Sequence, residues 1–290
     1  MSSAMDRLPS PITWHGVRRP LVSRNRRGRV LLVGGGERRG RDFEVLEHFV
    51  AAAGGRDAKI LVCAAATREP KPALREYCQV FKELGVADVW SEALEDRQEA
   101  EKPALLEQLA ASTAVYFTGG DQLRLTSLVA GTSFGEKLRE RHNAGDYVLG
   151  GTSAGATAMG SVMILSGPGG GSVRRSDVKV GVGLGFLRDA MVDTHFNERG
   201  RVPRFLTVFA QNSQVLGIGI DENTGVDIRL GEEFRVIGSG AVTVFDGRVS
   251  YSNAADAGEH DIIALSGVTV HVLPRGYGYD PSAMQILKPA

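Results

Sequence analysis

Cysteine is scarce in this chain: Cys63 and Cys78 are the two in 290 residues. That is too few for a disulfide framework. One lies in an apolar run and the other in a helical pattern, so both read as small buried hydrophobes rather than a disulfide or a metal pair. Net charge is also lacking. Lys plus Arg and Asp plus Glu each number 34, so the basic excess that bulk nucleic-acid binding leaves behind is missing. No apolar run approaches the ~20 residues needed to cross a bilayer. Met1 to Arg29 holds no apolar stretch of signal-peptide type. These absences point to a reducing, cytoplasmic setting, with neither nucleic acid nor membrane as partner. Internal repeats and low-complexity linkers are missing too.

What remains is ordinary globular composition, 42% hydrophobic and 23% charged, at a length that buries about three quarters of the unfolded surface. Arg18, Arg19, Arg24, Arg26, Arg27 and Arg29, with Pro9, Pro11 and Pro20, form a basic lead-in. The expected organisation is a solvated N-terminal extension over 1–29 and a single domain over 30–290.

Within that domain, Val30 to Val33 is a continuous apolar run ending at Gly34-Gly35-Gly36, a buried strand and a glycine turn. Phe43, Leu46, Phe49, Val50 and Ala53 follow at helical spacing and stop at Gly54-Gly55. Lys59 to Ala66 is a second strand. Leu74, Tyr77, Cys78, Phe81 and Leu84 mark an amphipathic helix. Val86 to Trp90, a helix around Leu105, Leu106 and Leu109, and a strand Ala114 to Phe117 continue the rhythm. Strands alternating with helices predict an α/β fold, a mostly parallel central sheet flanked by helices. Ligands of such sheets sit beyond the carboxyl ends of the strands. The turns at Gly34–Gly36, Gly119–Gly120 and Gly150–Gly151 would gather there. Val215–Ile220, Val226–Leu230, Phe234–Ile237, Ala241–Phe245 and Val268–Leu273 read as β-hairpins added at the C-terminal side. The first glycine turn is not a nucleotide loop, because it has no G-x-G-x-x-G register and no following Lys-Ser/Thr.

Gly151-Thr152-Ser153-Ala154-Gly155 follows the strand Tyr147-Val148-Leu149 and precedes a helix start at Ala156 to Met159. This is the strand–turn–helix context of a nucleophile elbow, with Ser153 exposed above the sheet and the Ala154 amide aimed at the same space. A serine nucleophile needs a base. Of six histidines, His48 and His142 sit in helical patterns among polar neighbours and read as solvated, while His15, His260 and His271 lie in the extension and the late strands. His195 directly follows the apolar strand Met191-Val192 and is the candidate base. The acid that orients it falls at the end of Leu216–Ile220, where Asp221 and Glu222 point to opposite faces and only one can serve. Arg199, Arg201 and Arg204 lie within six residues near that base. With Pro203 opening a helix, they suggest carboxylate recognition by guanidinium forks. Gly167 to Gly171 with the polar stretch to Asp177 is a candidate loop near the site.

Taken together, Gly151 to Gly155, Asp193-Thr194-His195-Phe196 with the three arginines, the strand ending in Asp221-Glu222, and Gly119-Gly120-Asp121-Gln122 resemble the cyanophycinase family. That family belongs to a serine peptidase family that also holds the aspartyl dipeptidases. The resemblance spans about Val30 to Val270. It implies a flavodoxin-like or class I glutamine amidotransferase-like fold, Ser153 as nucleophile, Glu222 as triad acid and Gln122 as a substrate contact. It also implies a homodimer and a serine exopeptidase that hydrolyses cyanophycin, a poly-aspartate carrying arginine on its side-chain carboxyls, to β-aspartyl-arginine. The Gly119–Gly120 amides would join Ala154 in an oxyanion hole. Asp193 would meet the substrate guanidinium, and the arginines its α-carboxylate. Neither a cofactor nor a metal is needed for this chemistry. Thr194 stands where the family usually carries Gln, so its contribution to the substrate pocket departs from the pattern. The rival readings are an α-aspartyl dipeptidase-like enzyme and a non-catalytic binder of acidic peptides.

Overall fold

The computed structural model describes residues 28–37, 43–168, 171–212, 214–229 and 233–289. The expected basic extension lies outside them except for Gly28 and Arg29. Arg29 already belongs to the first strand, β1 (Arg29–Val33).

The first half of the chain builds the alternating α/β pattern: α1 (Glu44–Ala53), β2 (Lys59–Cys63), α2 (Pro70–Glu83), β3 (Asp88–Glu92), α3 (Pro103–Ala111), β4 (Ala114–Phe117), α4 (Gln122–Val129), α5 (Ser133–Ala144) and β5 (Val148–Thr152). A four-residue helix, α6 (Ala154–Thr157), leads into β6 (Gly160–Ser166), β7 (Lys179–Val182), β8 (Leu187–Thr194), α7 (Val202–Gln211) and β9 (Leu216–Ile220). The chain closes with β10 (Thr224–Arg229), β11 (Phe234–Gly238), β12 (Ala241–Ser252), β13 (Leu265–Pro274), β14 (Gly278–Asp280) and β15 (Gln285–Leu287). Two sheets result. The larger has nine strands in the order β15-β14-β11-β10-β1-β5-β4-β2-β3, and the smaller has six, β13-β12-β9-β8-β6-β7. Strands β1, β5, β4, β2 and β3 run parallel, as do β6, β8 and β9 in the second sheet.

Alternation along β1 shows how the layers form. Leu31 and Val33 face α1 and α2, meeting Leu46, Phe49, Tyr77 and Phe81. Val30 and Leu32 face the other way, into a core shared with Ile218, Ile220, Val242 and Val244 of the second sheet. The outer face of that second sheet is covered by α7, through Phe196, Phe205, Phe209 and Phe245. Phe205 lies at 4.9 Å from Phe196 and 5.1 Å from Phe245, both edge-on.

The late strands are present but are not all hairpins on one sheet. Only β12 and β13 form a long hairpin in the second sheet. The pair β10–β11 extends the first sheet from β1. Strand β9 is interior, parallel to β8 and antiparallel to β12. All five of its residues are buried, which is the mark of a strand covered on both faces rather than of a hairpin arm. Two histidines also depart from expectation. His142 is fully buried, because Phe134, Leu138 and His142 at i, i+4 and i+8 form the inward stripe of α5. Its ring meets Phe186 edge-on at 5.3 Å. His48 is tied to Asp227 at 2.9 Å.

Candidate active site

The carboxyl ends of β1, β4, β5, β8 and β9 meet at one rim. Ser153 follows β5, His195 follows β8, and Asp221-Glu222 follow β9. The backbone at each point is forced. Ser153 adopts φ 52° and ψ −115°, and His195 and Asn223 have φ of 49° and 52°. Non-glycine residues in that region cost about 1–3 kcal/mol each and persist only where surrounding structure holds them.

The holding structure is the glycine turn after β1. Val33 accepts the Ser153 amide at 3.0 Å, Gly34 accepts the His195 amide at 2.8 Å, and Gly35 accepts the Asn223 amide at 2.9 Å. One strand end therefore registers all three segments. Two of its glycines also lie in contact with the side chains. A Cβ on Gly35 would fall 2.3 Å from His195 Cε1, and one on Gly36 would fall 2.5 Å from a Glu222 carboxylate oxygen. Their positive φ values, 92° and 58°, independently favour glycine.

The side chains form a connected relay. Ser153 Oγ lies 3.0 Å from His195 Nε2, and His195 Nδ1 lies 2.6 Å from Glu222 Oε1. The imidazole is 12% exposed and the Glu222 side chain 41%, so the ring is sheltered while the carboxylate stands at the solvent edge. Asp221 points away. Its two oxygens accept the amides of Asn197 at 3.0 Å and Ala241 at 3.2 Å, and burial raises its pKa. Glu198 accepts the Glu222 amide at 3.2 Å, which anchors the acid's own backbone.

Gly119 lies against Ser153. A Cβ there would sit 3.3 Å from Ser153 Cβ and 3.8 Å from Oγ. Ala154 follows Ser153 at the start of α6, a helix of four residues, so its amide counts as a single donor rather than as the end of a long dipole. Gly120 instead backs onto the Ala66 carbonyl, 2.3 Å from a hypothetical Cβ. Gln122 donates from Nε2 to the carbonyls of Ile164 at 2.5 Å and Leu165 at 3.2 Å, tying α4 to β6.

The arginine cluster differs from expectation. Asp193 is fully buried. Its carboxylate accepts Arg201 Nη1 at 2.6 Å, Arg204 Nε at 2.6 Å and a further bond from Arg204 Nη2. Alternation along β8 puts Asp193 on the face of Met191, toward α7, and both its oxygens are engaged by Arg201 and Arg204 rather than left open for a substrate guanidinium. Arg204 is buried with it and reaches the Gly167 carbonyl at 3.3 Å, which fastens the start of the glycine-rich loop to the cluster. Arg201 also donates to the Thr194 carbonyl at 2.6 Å. Burial lowers the Arg201 pKa; Asp193 opposes this, while Arg204 and Arg199 add to it. Thr194 is buried, and Arg199 is exposed.

Sequence reasoning passed over Glu37. It is 4% exposed and accepts hydrogen bonds from Tyr77, Tyr116 and Thr152. The only sequence signal was an acid directly after a glycine turn. Among the described residues, no group of three or more His, Cys, Asp or Glu is placed to hold a metal ion.

The pattern of peptidase family S51 matches residues 30–237. A cyanophycinase of Geminocystis herdmanii is 39% identical over 260 residues, 89% of this chain and 96% of that protein. A cyanophycinase of Synechococcus elongatus is 37% identical over 261 residues, 90% and 81% of the two chains. Among solved structures, a peptidase from an acI-B1 actinobacterium superposes with a TM-score of 0.63 at 22% identity, covering 88% of this chain and 98% of that one. That last likeness speaks for the fold.

Proposed function

The chain belongs to peptidase family S51, and on that premise we propose that Ser153 is its nucleophile, His195 the general base and Glu222 the acid that holds the base. The protein is a serine-type peptidase that degrades cyanophycin. The observation that carries the assignment of roles is the unbroken contact from Ser153 Oγ through His195 to Glu222. Both distances are within the reach that proton transfer requires.

In the proposed cycle His195 Nε2 takes the Ser153 proton as Oγ attacks an aspartyl carbonyl of the polymer backbone. Glu222 accepts the hydrogen bond of His195 Nδ1–H, fixes the tautomer and supports the imidazolium. The amides of Ala154 and of the Gly119–Gly120 turn receive the oxyanion, each such donor being worth about 3–4 kcal/mol in the transition state. His195 then protonates the leaving amine, and water, activated by the same imidazole, resolves the acyl-enzyme, so that one full turnover frees one β-aspartyl-arginine. Arg199 and the outer edge of Arg201 meet the substrate α-carboxylate. Asp193 and Arg204 act beneath them as the buried support that holds Arg201 in place. Gln122 shapes the pocket through the β6 carbonyls to which it donates, and Thr194 through its place at the end of β8, where its carbonyl accepts Arg201.

We further propose a single domain from residue 30 onward, a cytoplasmic location and a homodimer. Two free cysteines, one buried and one half-buried, fit a reducing compartment. Among the described residues no helix is long and apolar enough to cross a membrane. Sedimentation of the purified protein tests the dimer.

The deciding experiment is mass analysis of soluble products after the protein is mixed with insoluble cyanophycin. β-Aspartyl-arginine is expected from the wild type, and none from a folded Ser153→Ala variant. Undiminished turnover by that variant refutes the assignment. Cleavage of Asp-X dipeptides with no release from polymer would instead identify an aspartyl dipeptidase, and failure of Ser153 to label with a serine-reactive phosphonate would indicate a binder.

A further inference from the structure

Glu37 sits where a carboxylate has no obvious structural reason to be. It is buried under the first sheet's rim, and burying an ion is costly unless partners replace the lost water. Here three hydroxyls do so. Thr152 Oγ1 donates to Oε2 at 2.8 Å, Tyr116 OH donates to Oε1 at 3.2 Å, and Tyr77 OH donates to the same Oε1. These donors come from β5, β4 and α2, three separate elements. Burial, and then the Glu37 charge, raise the Tyr116 pKa well above the ordinary phenol value, which keeps that hydroxyl protonated as a donor.

The position of Glu37 in the chain gives the cluster its direction. Thr152 is the residue immediately before the nucleophile. Gly36, the residue immediately before Glu37, lies against Glu222, and Gly35 lies against His195. Glu37 therefore joins the turn that carries the base and its acid to the strand end that carries Ser153. We propose that Glu37 is a positioning residue, which sets Ser153 Oγ against His195 through its hydrogen bond to Thr152. The proposal rests on the catalytic roles assigned above. It touches no substrate and acts through Thr152. A displacement of about 1 Å at a nucleophile is enough to cost about 100-fold in rate.

The test measures kcat and KM on a soluble cyanophycin fragment and, separately, the rate at which a serine-reactive phosphonate labels Ser153. The variants are Glu37→Gln, Thr152→Val, Thr152→Ser and the double variant E37Q/T152V. Glu37→Gln is expected to lower kcat and the labelling rate by 10- to 100-fold with KM changed less than threefold. Thr152→Val should do the same, Thr152→Ser should retain at least a third of the wild-type rate, and the double variant should lose no more than the worse single. Wild-type kcat in folded Glu37→Gln, equal losses in Thr152→Ser and Thr152→Val, or multiplicative losses in the double variant would each overturn the proposal. If Glu37→Gln does not fold, the Thr152 pair decides alone. An active Ser153→Ala would refute the catalytic reading itself. An inactive Ser153→Ala beside a fully active Glu37→Gln would refute only this inference.

Discussion

Replacing Glu222 by Gln isolates the charge of an acid that is unusually open to solvent. The substitution keeps the shape and leaves an amide oxygen that can still accept the Nδ1 proton of His195, so the tautomer survives when the amide is suitably turned. What is lost is the attraction between carboxylate and imidazolium. At a charge separation of about 4 Å that attraction is worth about 1 kcal/mol in water-like surroundings and about 4 kcal/mol at the effective dielectric of a protein surface. With Glu222 41% exposed and His195 12% exposed, the pair lies between these limits, at about 2–3 kcal/mol, which is a fall of about 30- to 150-fold in kcat. Where the amide replacement of a triad acid also imposes the wrong tautomer on the histidine, the loss reaches about 10⁴-fold. The assay is steady-state release of β-aspartyl-arginine under saturating substrate, at ionic strengths from about 0.01 M to about 1 M. The wild-type advantage should shrink as salt rises, since an exposed pair is screened. A loss near 10⁴-fold, or one below threefold, or one indifferent to salt, would refute the argument that this acid works from the solvent edge.

Other consequences are equally direct. Asp193→Asn leaves the inward guanidiniums of Arg201 and Arg204 without their counter-charge, at about 3–5 kcal/mol, and calorimetry should show the thermal midpoint falling by roughly 6–15 °C. Gly35→Ala drives a methyl into the His195 ring and should reduce kcat by more than about 100-fold. Gly55→Ala has a positive φ with nothing within 4 Å and should leave kcat intact at a stability cost of about 1 kcal/mol. Burial pushes the Asp227 carboxyl up, but the hydrogen bond from Arg29 and that from His48 pull it further down, to about 2. Its folded pKa is depressed, so its stabilisation is present above the unfolded value near 4 and is lost as pH falls toward 2. Denaturant unfolding should show the wild type losing about 2 kcal/mol more than Asp227→Asn over that window. Phe205→Ala empties the aromatic cluster under α7, and urea titration should record a loss of about 3–5 kcal/mol.

Much of the fold was legible because its signals are local. The run Val30–Val33, the face Tyr77-Phe81 and the strand Ala114–Phe117 announce burial through spacing alone, and they lie where that spacing put them. The elbow at Ser153 was legible for the same reason: a strand, a glycine-flanked serine and a helix start are consecutive. Leu216–Ile220 was legible as a buried strand but not as one set between β8 and β12, since apolar content does not say which neighbour a strand will choose. His142 looked polar among polar neighbours until the stripe with Phe134 and Leu138 turned it inward.

Composition, periodicity and the elbow motif thus determined, without coordinates, an α/β protein with a serine poised at a strand end. The family resemblance singled out Glu222, while strand alternation left Asp221 and Glu222 open until tertiary structure put Glu222 against His195; only tertiary structure decided that Asp193 faces its own arginines and that Glu37 bonds Thr152. Those outcomes depend on pairings between residues 8 to 115 positions apart. The direction of a side chain at such a junction is set by sheet register and by the neighbour across it, neither of which is written in the residues on either side.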